Sequence, residues 1–293
     1  MKTPSVAVSC LPWLLAVVAF VSATVAGAQP SVVDNTGCGE VVSIRTHNGT
    51  TTRYALAKPR EAAREAPVVL VLLAGGAGYV NLDDRGCAQL LKGNSLVRSI
   101  GLSRGEGFFT ALVDAPSDWQ GEEGLAEFRI SPAHAEDLGA VIADVRKRTR
   151  AAVWLVGTSR GAISAANGAA RLTGASAPDG VVLTSPVMSG QPGARKPYAT
   201  QSVFDLPLES VRMPILVIGH AEDACARSPA GRLKEILART DGVREQAVVV
   251  TGGPGGAGLS SLAACEGRSP HGFLGQEAEV AKGIARFVRG SAY

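Results

Sequence analysis

From residue 40 onward the chain returns repeatedly to short, unbroken apolar runs. VVLVLLA (68–74), FFTALVDA (108–115), AVWLVGT (152–158), GVVLTSP (180–186), PILVIGH (214–220) and QAVVVTG (246–252) are all of this kind. A strand covered on both faces has no polar side to present, so these runs predict buried strands of a parallel sheet. Two earlier segments read differently. EVVSIRTH (40–47) and TTRYALAK (51–58) alternate in side-chain type around Asn48-Gly49, a pair that accepts the left-handed backbone of a tight turn, which predicts a hairpin. Helical spacing fills the intervals. PAHAEDLGAVIADVRKRT (132–149) has Ser131 to cap it and Pro132 in its first position. SRGAISAANGAARL (159–172) is rich in small residues, and SPAGRLKEILART (228–240) and QEAEVAKGIARFVRG (276–290) are amphipathic with basic ends.

A hairpin followed by repeated strand–helix units predicts an α/β fold. Its sheet is mostly parallel, eight-stranded and doubly wound, with helices on both faces and an N-terminal hairpin. Sites in such sheets lie beyond the carboxyl ends of the strands. No composition shift or long linker divides residues 29–293, which read as a single domain.

The first 28 residues read as a leader. Lys2 precedes an apolar run from Leu11 to Val21, and small residues follow up to Ala26-Gly27-Ala28, the order of a cleavable signal peptide. The run is short for a membrane span of about 20 residues. Export to a periplasm or to the outside is therefore expected, with no stable membrane insertion after cleavage. The remaining chain of about 265 residues suits one large α/β domain, and 46% apolar content supplies its core. Residues 1–28 hold Lys2 and no acid, so their removal lowers the net charge from +3 to +2. That balance, with no basic tract, gives no reason to expect a nucleic-acid partner. Outside the leader four cysteines remain, Cys38, Cys87, Cys225 and Cys265, and an even number in an exported chain predicts two disulfides with three possible connectivities. None has the spacing of a zinc site, so no metal is expected. No dinucleotide fingerprint is present, since GGAG at 75–78 lacks the required glycine spacing, and no cofactor is expected.

Gly-x-Ser-x-Gly occurs twice, as GLSRG (101–105) and GTSRG (157–161). The pattern means a nucleophile only where a strand runs into the serine and a helix leaves it. GLSRG precedes a strand, which places Ser103 in a loop entering that strand. GTSRG follows the buried run AVWLV and opens the small-residue helix, so Ser159 has the right context. A serine lifted onto the start of a helix also sees that helix's positive end and the backbone N–H of Arg160.

With these elements in order the chain resembles the α/β-hydrolase superfamily over nearly all of residues 40–290. The resemblance implies a triad running Ser, then Asp or Glu, then His. Among His47, His134, His220 and His271 only His271, in SPHGF, lies after both serine and acid, where it would serve as general base. The acid is expected after PILVIGH, where AEDAC offers Glu222 and Asp223, and the family's spacing selects Asp223. His220 is read as structural, or as part of the rim. The resemblance also implies a second oxyanion donor from the loop AGGAGY (74–79), with Gly76 first and Ala77 next. The family commonly has His-Gly where this chain has Ala74-Gly75. Cys225 and Cys265 flank the proposed acid and base, so a bridge between them would tie those loops together, closing about 40 residues for ~3–4 kcal/mol. Cys38–Cys87 would then join the hairpin to the segment after the oxyanion loop.

Many family members insert a helical lid between the sixth and seventh strands. Residues 188–213 are here rich in Gly and Pro, with one short helical candidate, DLPLESV. No large apolar lid can be built from them, which favours a small or soluble ester-type substrate over an oil interface. Asp118 and Trp119 follow the fourth strand and are candidates to line the cleft, as are Asn94, Arg98 and Arg104. TGGPGGAGLSS (251–261) lacks a phosphate-loop Lys and reads as a flexible rim near His271. The expected activity is serine hydrolysis of ester type through an acyl-enzyme. A peptidase or acyltransferase on the same triad, and an exported binding protein without turnover, are the alternatives.

Overall fold

The computed structural model describes residues 1–2, 38–61, 65–191 and 193–293. The chain divides into two units, Met1–Val32 and Val33–Tyr293, and the described residues lie almost entirely in the second. The expected leader, residues 1–28, lies outside the described residues apart from its first two.

Eight strands form one sheet: β1 (Glu40–Arg45), β2 (Thr51–Ala57), β3 (Val68–Leu73), β4 (Phe109–Val113), β5 (Ala152–Thr158), β6 (Gly180–Thr184), β7 (Ile215–His220) and β8 (Glu245–Val250). Their order across the sheet is β1-β2-β4-β3-β5-β6-β7-β8. β1 and β2 pair antiparallel, β2 meets β4 antiparallel, and every other pairing is parallel. At the hairpin Asn48 and Gly49 both take positive φ, 48° and 77°, and the Thr50 N–H donates to the His47 carbonyl across them. The dipeptide signal thus marks the turn it suggests.

The unbroken apolar runs are explained by the two faces they serve. Val69, Val71, Val153, Leu155, Val181, Leu183 and Val217 pack on one side with α2 (Pro132–Thr149), α3 (Arg160–Arg171) and α4 (Leu233–Leu237). Their neighbours Leu70, Leu72, Trp154, Val156, Val182 and Leu216 pack on the other with α1 (Ser95–Gly105) and α5 (Glu277–Val288). α3 lies close to the sheet because its inward face is Ala162, Ala165, Ala166 and Ala169, all fully buried or nearly so.

Three local expectations are corrected. Ser103 lies inside helix α1, not in a loop. Helix 228–240 shrinks to a 3-10 turn, Ala230–Arg232, followed by the short α4. No side chain caps this segment and Gly231 weakens its first turn, while the Ser228 hydroxyl donates to the Ser185 carbonyl (3.0 Å). Residues 203–205 and 208–210, around DLPLESV, form only single 3-10 turns. Among the described residues no α-helix lies between β6 and β7, and no helix is long and apolar enough to cross a membrane.

Candidate active site

β5 runs directly into Ser159, and α3 begins at the next residue. Ser159 has φ 52° and ψ −123°, a backbone region that a residue with a side chain seldom adopts. Four close approaches hold it there. The Ser159 N–H donates to the Thr184 carbonyl at 2.9 Å. A methyl on Gly157 would overlap the Gly161 carbonyl, and one on Gly161 would overlap the Leu73 carbonyl. A methyl on Gly75 would sit 2.9 Å from Ser159 Cβ, so the loop after β3 lies hard against the elbow. The glycines of GTSRG answer to contact distances as well as to turn geometry.

His271 stands on a 3-10 turn, Pro270–Gly272, capped by Ser269. The Ser185 hydroxyl holds its carbonyl at 2.7 Å. Its Nδ1 lies 2.8 Å from Asp223 Oδ2. A carboxylate only accepts, so the proton sits on Nδ1 and the Nε2 lone pair is free for another donor. That Nε2 is buried and has no hydrogen-bond partner. The Asp223 side chain is 0% exposed, and its second oxygen accepts from the Cys225 N–H at 2.9 Å. Glu222, the other acid of AEDAC, is exposed, and it is Asp223 that meets His271 Nδ1. Cys225 is bonded to Cys265, and Cys38 to Cys87, the two pairings expected. Asp223, Cys225 and His271 bring ligand-type atoms within 4.8 Å of one another. The disulfide removes the thiolate that a cation would need there.

Ser159 and His271 line one cleft of about 370 Å³ together with Gly76, Asn94, Thr158 and Arg268. The N–H groups of Gly75, Gly76 and Ala77 donate to no backbone carbonyl, and Gly76 has φ 57°. Asp114, at the end of β4, braces the continuation of this loop by accepting from Val80 (2.9 Å), Asn81 (3.2 Å) and Leu82 (3.0 Å). Asn94 caps α1 through the Leu96 N–H (3.0 Å). Arg98 does not face the cleft as a substrate anchor. It pairs with Glu277 at 2.7 Å and donates to the carbonyls of Gly93, Gly267 and Gly272, which fastens α1 to the His271 turn. Arg104 reaches the Lys58 carbonyl at 2.8 Å, away from the site. Ser103 lines an apolar slot with Leu70, Leu72 and Ile284.

Asp118 and Trp119 are not brought to Ser159. Together with Glu122, Glu123, Glu127 and Lys196 they line a separate hollow of about 410 Å³. Trp119 stacks on Phe128 with ring centroids 4.9 Å apart, and Asp118 lies 3.0 Å from His47 Nε2. Ala77 packs its methyl toward Gly124, and its carbonyl accepts from the Leu125 N–H at 2.8 Å. His220 is structural: Nε2 reaches the Gly252 carbonyl (2.9 Å) and Nδ1 accepts from the Glu222 N–H (3.1 Å). His134 is buried with neither ring nitrogen partnered, and burial first, then the charges of Arg129 and His47, lower its pKa to about 3.

Strand order, the antiparallel β2 and the strand–Ser159–helix elbow together define the α/β-hydrolase fold. No protein-family model matches the chain, and no curated protein matches it. Solved structures do. The chain is similar to an alpha-beta serine hydrolase homologue from Coxiella burnetii, with TM-score 0.56 and 16% identity over 85% of this chain and 97% of that one. It is similar to an esterase from Pyrococcus furiosus, with TM-score 0.58 and 14% identity over 85% and 91%. It is also similar to a serine hydrolase without lid from Xanthomonas campestris, with TM-score 0.51 and 18% identity over 83% and 93%.

Proposed function

We propose that the protein is a serine hydrolase that cleaves small or soluble ester-type substrates through an acyl-enzyme. The observation that carries this reading is the buried, unpartnered His271 Nε2 in the cleft that holds the strained Ser159. Ser159 Oγ attacks the ester carbonyl carbon while its proton passes to His271 Nε2. Asp223 holds the Nδ1 proton in place and stabilises the imidazolium. The oxyanion is received by backbone N–H groups of the Gly76 loop and of Arg160 at the start of α3. Collapse breaks the bond to the leaving alkoxide, which takes the proton from His271. Water then repeats the sequence and releases the acid. The neighbours described as esterases support the substrate class, and the Xanthomonas campestris neighbour, described as lacking a lid, is consistent with an open cleft. Two disulfides support an oxidising compartment, and we place the protein in the periplasm or outside the cell.

Intact-mass analysis after reaction with a fluorophosphonate tests this directly. Wild type and Ser103→Ala should each gain one adduct, and Ser159→Ala none. An adduct that survives Ser159→Ala, or none on wild type, sinks the reading.

A further inference from the structure

Arg129 is fully buried, at 1% exposure, and has no carboxylate partner among the described residues. A guanidinium withdrawn from water without a counter-charge is destabilising unless its donors are satisfied. Its two Nη groups make three hydrogen bonds, while Nε is buried without a partner. Nη1 reaches Ser164 Oγ on α3 at 2.8 Å. Nη2 reaches the carbonyls of Ala74 (3.1 Å) and Gly76 (3.2 Å) in the loop after β3. A methyl on Gly78 would overlap Nη2, so the loop is moulded around the guanidinium. The backbone of Arg129 is fixed in turn by Asn167, whose amide donates to the carbonyls of Arg129 (2.9 Å) and Ser131 (2.7 Å). Thus the helix that starts at the elbow holds Arg129, and Arg129 holds the oxyanion loop.

The consequence follows from the peptide plane. A carbonyl and the N–H of the next residue point in opposite directions. Drawing the Ala74 and Gly76 carbonyls back toward the guanidinium turns the Gly75 and Ala77 amides the other way, and neither amide donates to a backbone carbonyl. The positive charge also stands behind the loop that faces Ser159. Burial, and then the charge of Arg160, pull the Arg129 pKa down. A guanidinium starts so high that it stays protonated at neutral pH.

We infer that Arg129 is a positioning residue for acyl transfer, setting the Gly75 and Ala77 amides of the loop after β3 toward the developing oxyanion from behind. This rests on Ser159 being the nucleophile, so the fluorophosphonate comparison of wild type with Ser159→Ala is read first; its failure removes both readings together. With that reading intact, Arg129→Met and Arg129→Lys are compared with wild type. The measurements are phosphonylation rate, and kcat and KM for p-nitrophenyl acetate from pH 5 to 9, per site titrated by the fluorophosphonate. Arg129→Met should lose about 10²-fold in kcat and in phosphonylation rate, with KM within about threefold and the acid limb of the pH profile unmoved. Arg129→Lys should recover about tenfold of that loss. A purely structural residue would instead lower the number of titratable sites and leave kcat per site unchanged, and that result overturns the inference. If Arg129→Met does not fold, Arg129→Lys decides: a loss of about tenfold in kcat per site at constant KM supports the assignment, and an unchanged kcat overturns it.

Discussion

Two histidines of this protein sit against buried aspartates, and their surroundings differ in one respect. His271 Nδ1 is 2.8 Å from Asp223, and His47 Nδ1 is 2.6 Å from Asp137. Both rings are fixed, each with its Nδ1 facing a carboxylate. At His47, however, the second nitrogen is also closed, by Asp118 at 3.0 Å, and the ring packs 4.7 Å from Phe128. At His271 the second nitrogen is left open in a cleft beside a strained serine. The His47 arrangement is a clasp joining the hairpin, α2 and the loop after β4. A histidine–carboxylate pair therefore carries no chemistry by itself; on the function proposed above, the unfilled lone pair on the far side is what makes His271 a base and leaves His47 a brace.

The sharpest way to break this comparison is to delete each ring. His271→Ala should lower kcat on p-nitrophenyl acetate by about 10⁴-fold or more, and His47→Ala should leave it within about twofold. Comparable losses from both would show that the open nitrogen is not the discriminating feature. Next in size, Asp223→Asn should lower kcat by about 10³-fold with little change in thermal midpoint, because an amide cannot hold the Nδ1 proton and stabilise the imidazolium as a carboxylate does.

The smallest effect concerns the clasp and is read as stability. Burial, the largest influence, pulls the His47 pKa down. The hydrogen bonds and charges of Asp137 and Asp118 outweigh it, and the value is raised above 6.5. A raised folded-state pKa means stability that is fully present below the unfolded value and lost as pH rises through the folded one. The thermal midpoint of His47→Gln should therefore trail wild type by more at pH 6 than at pH 9. An equal gap at both would show that the charged clasp does not contribute.

Much of the fold was legible because β3, β5, β6 and β7 are covered on both faces and read as unbroken apolar runs. Helix 132–149 was legible to the residue because Ser131, Pro132 and a basic last turn mark its ends. α1 was not, since SLVRSIGLSRG buries only Ser95 and Leu96 and shows almost no amphipathic contrast. In the site, strand context and chain order led to Ser159 and His271, whose placement depends on local elements. Asp118 and Trp119 misled because a loop after a strand can fold away from the cleft, here toward His47 and Phe128. Arg129 gave no sign, because an arginine in AEFRIS looks like any solvated charge until the tertiary fold closes over it.

The elbow also bears on how this motif would diverge. Gly157 and Gly161 are held by backbone atoms that leave no room for a methyl, whereas on the function proposed above the Ser159 hydroxyl is kept for its reactivity. The signature is then two independent constraints written in five letters. A descendant that abandoned turnover would be free to replace the serine and still be unable to replace either glycine. Relatives with both glycines and a drifting central residue would mark lineages that kept the scaffold for another purpose.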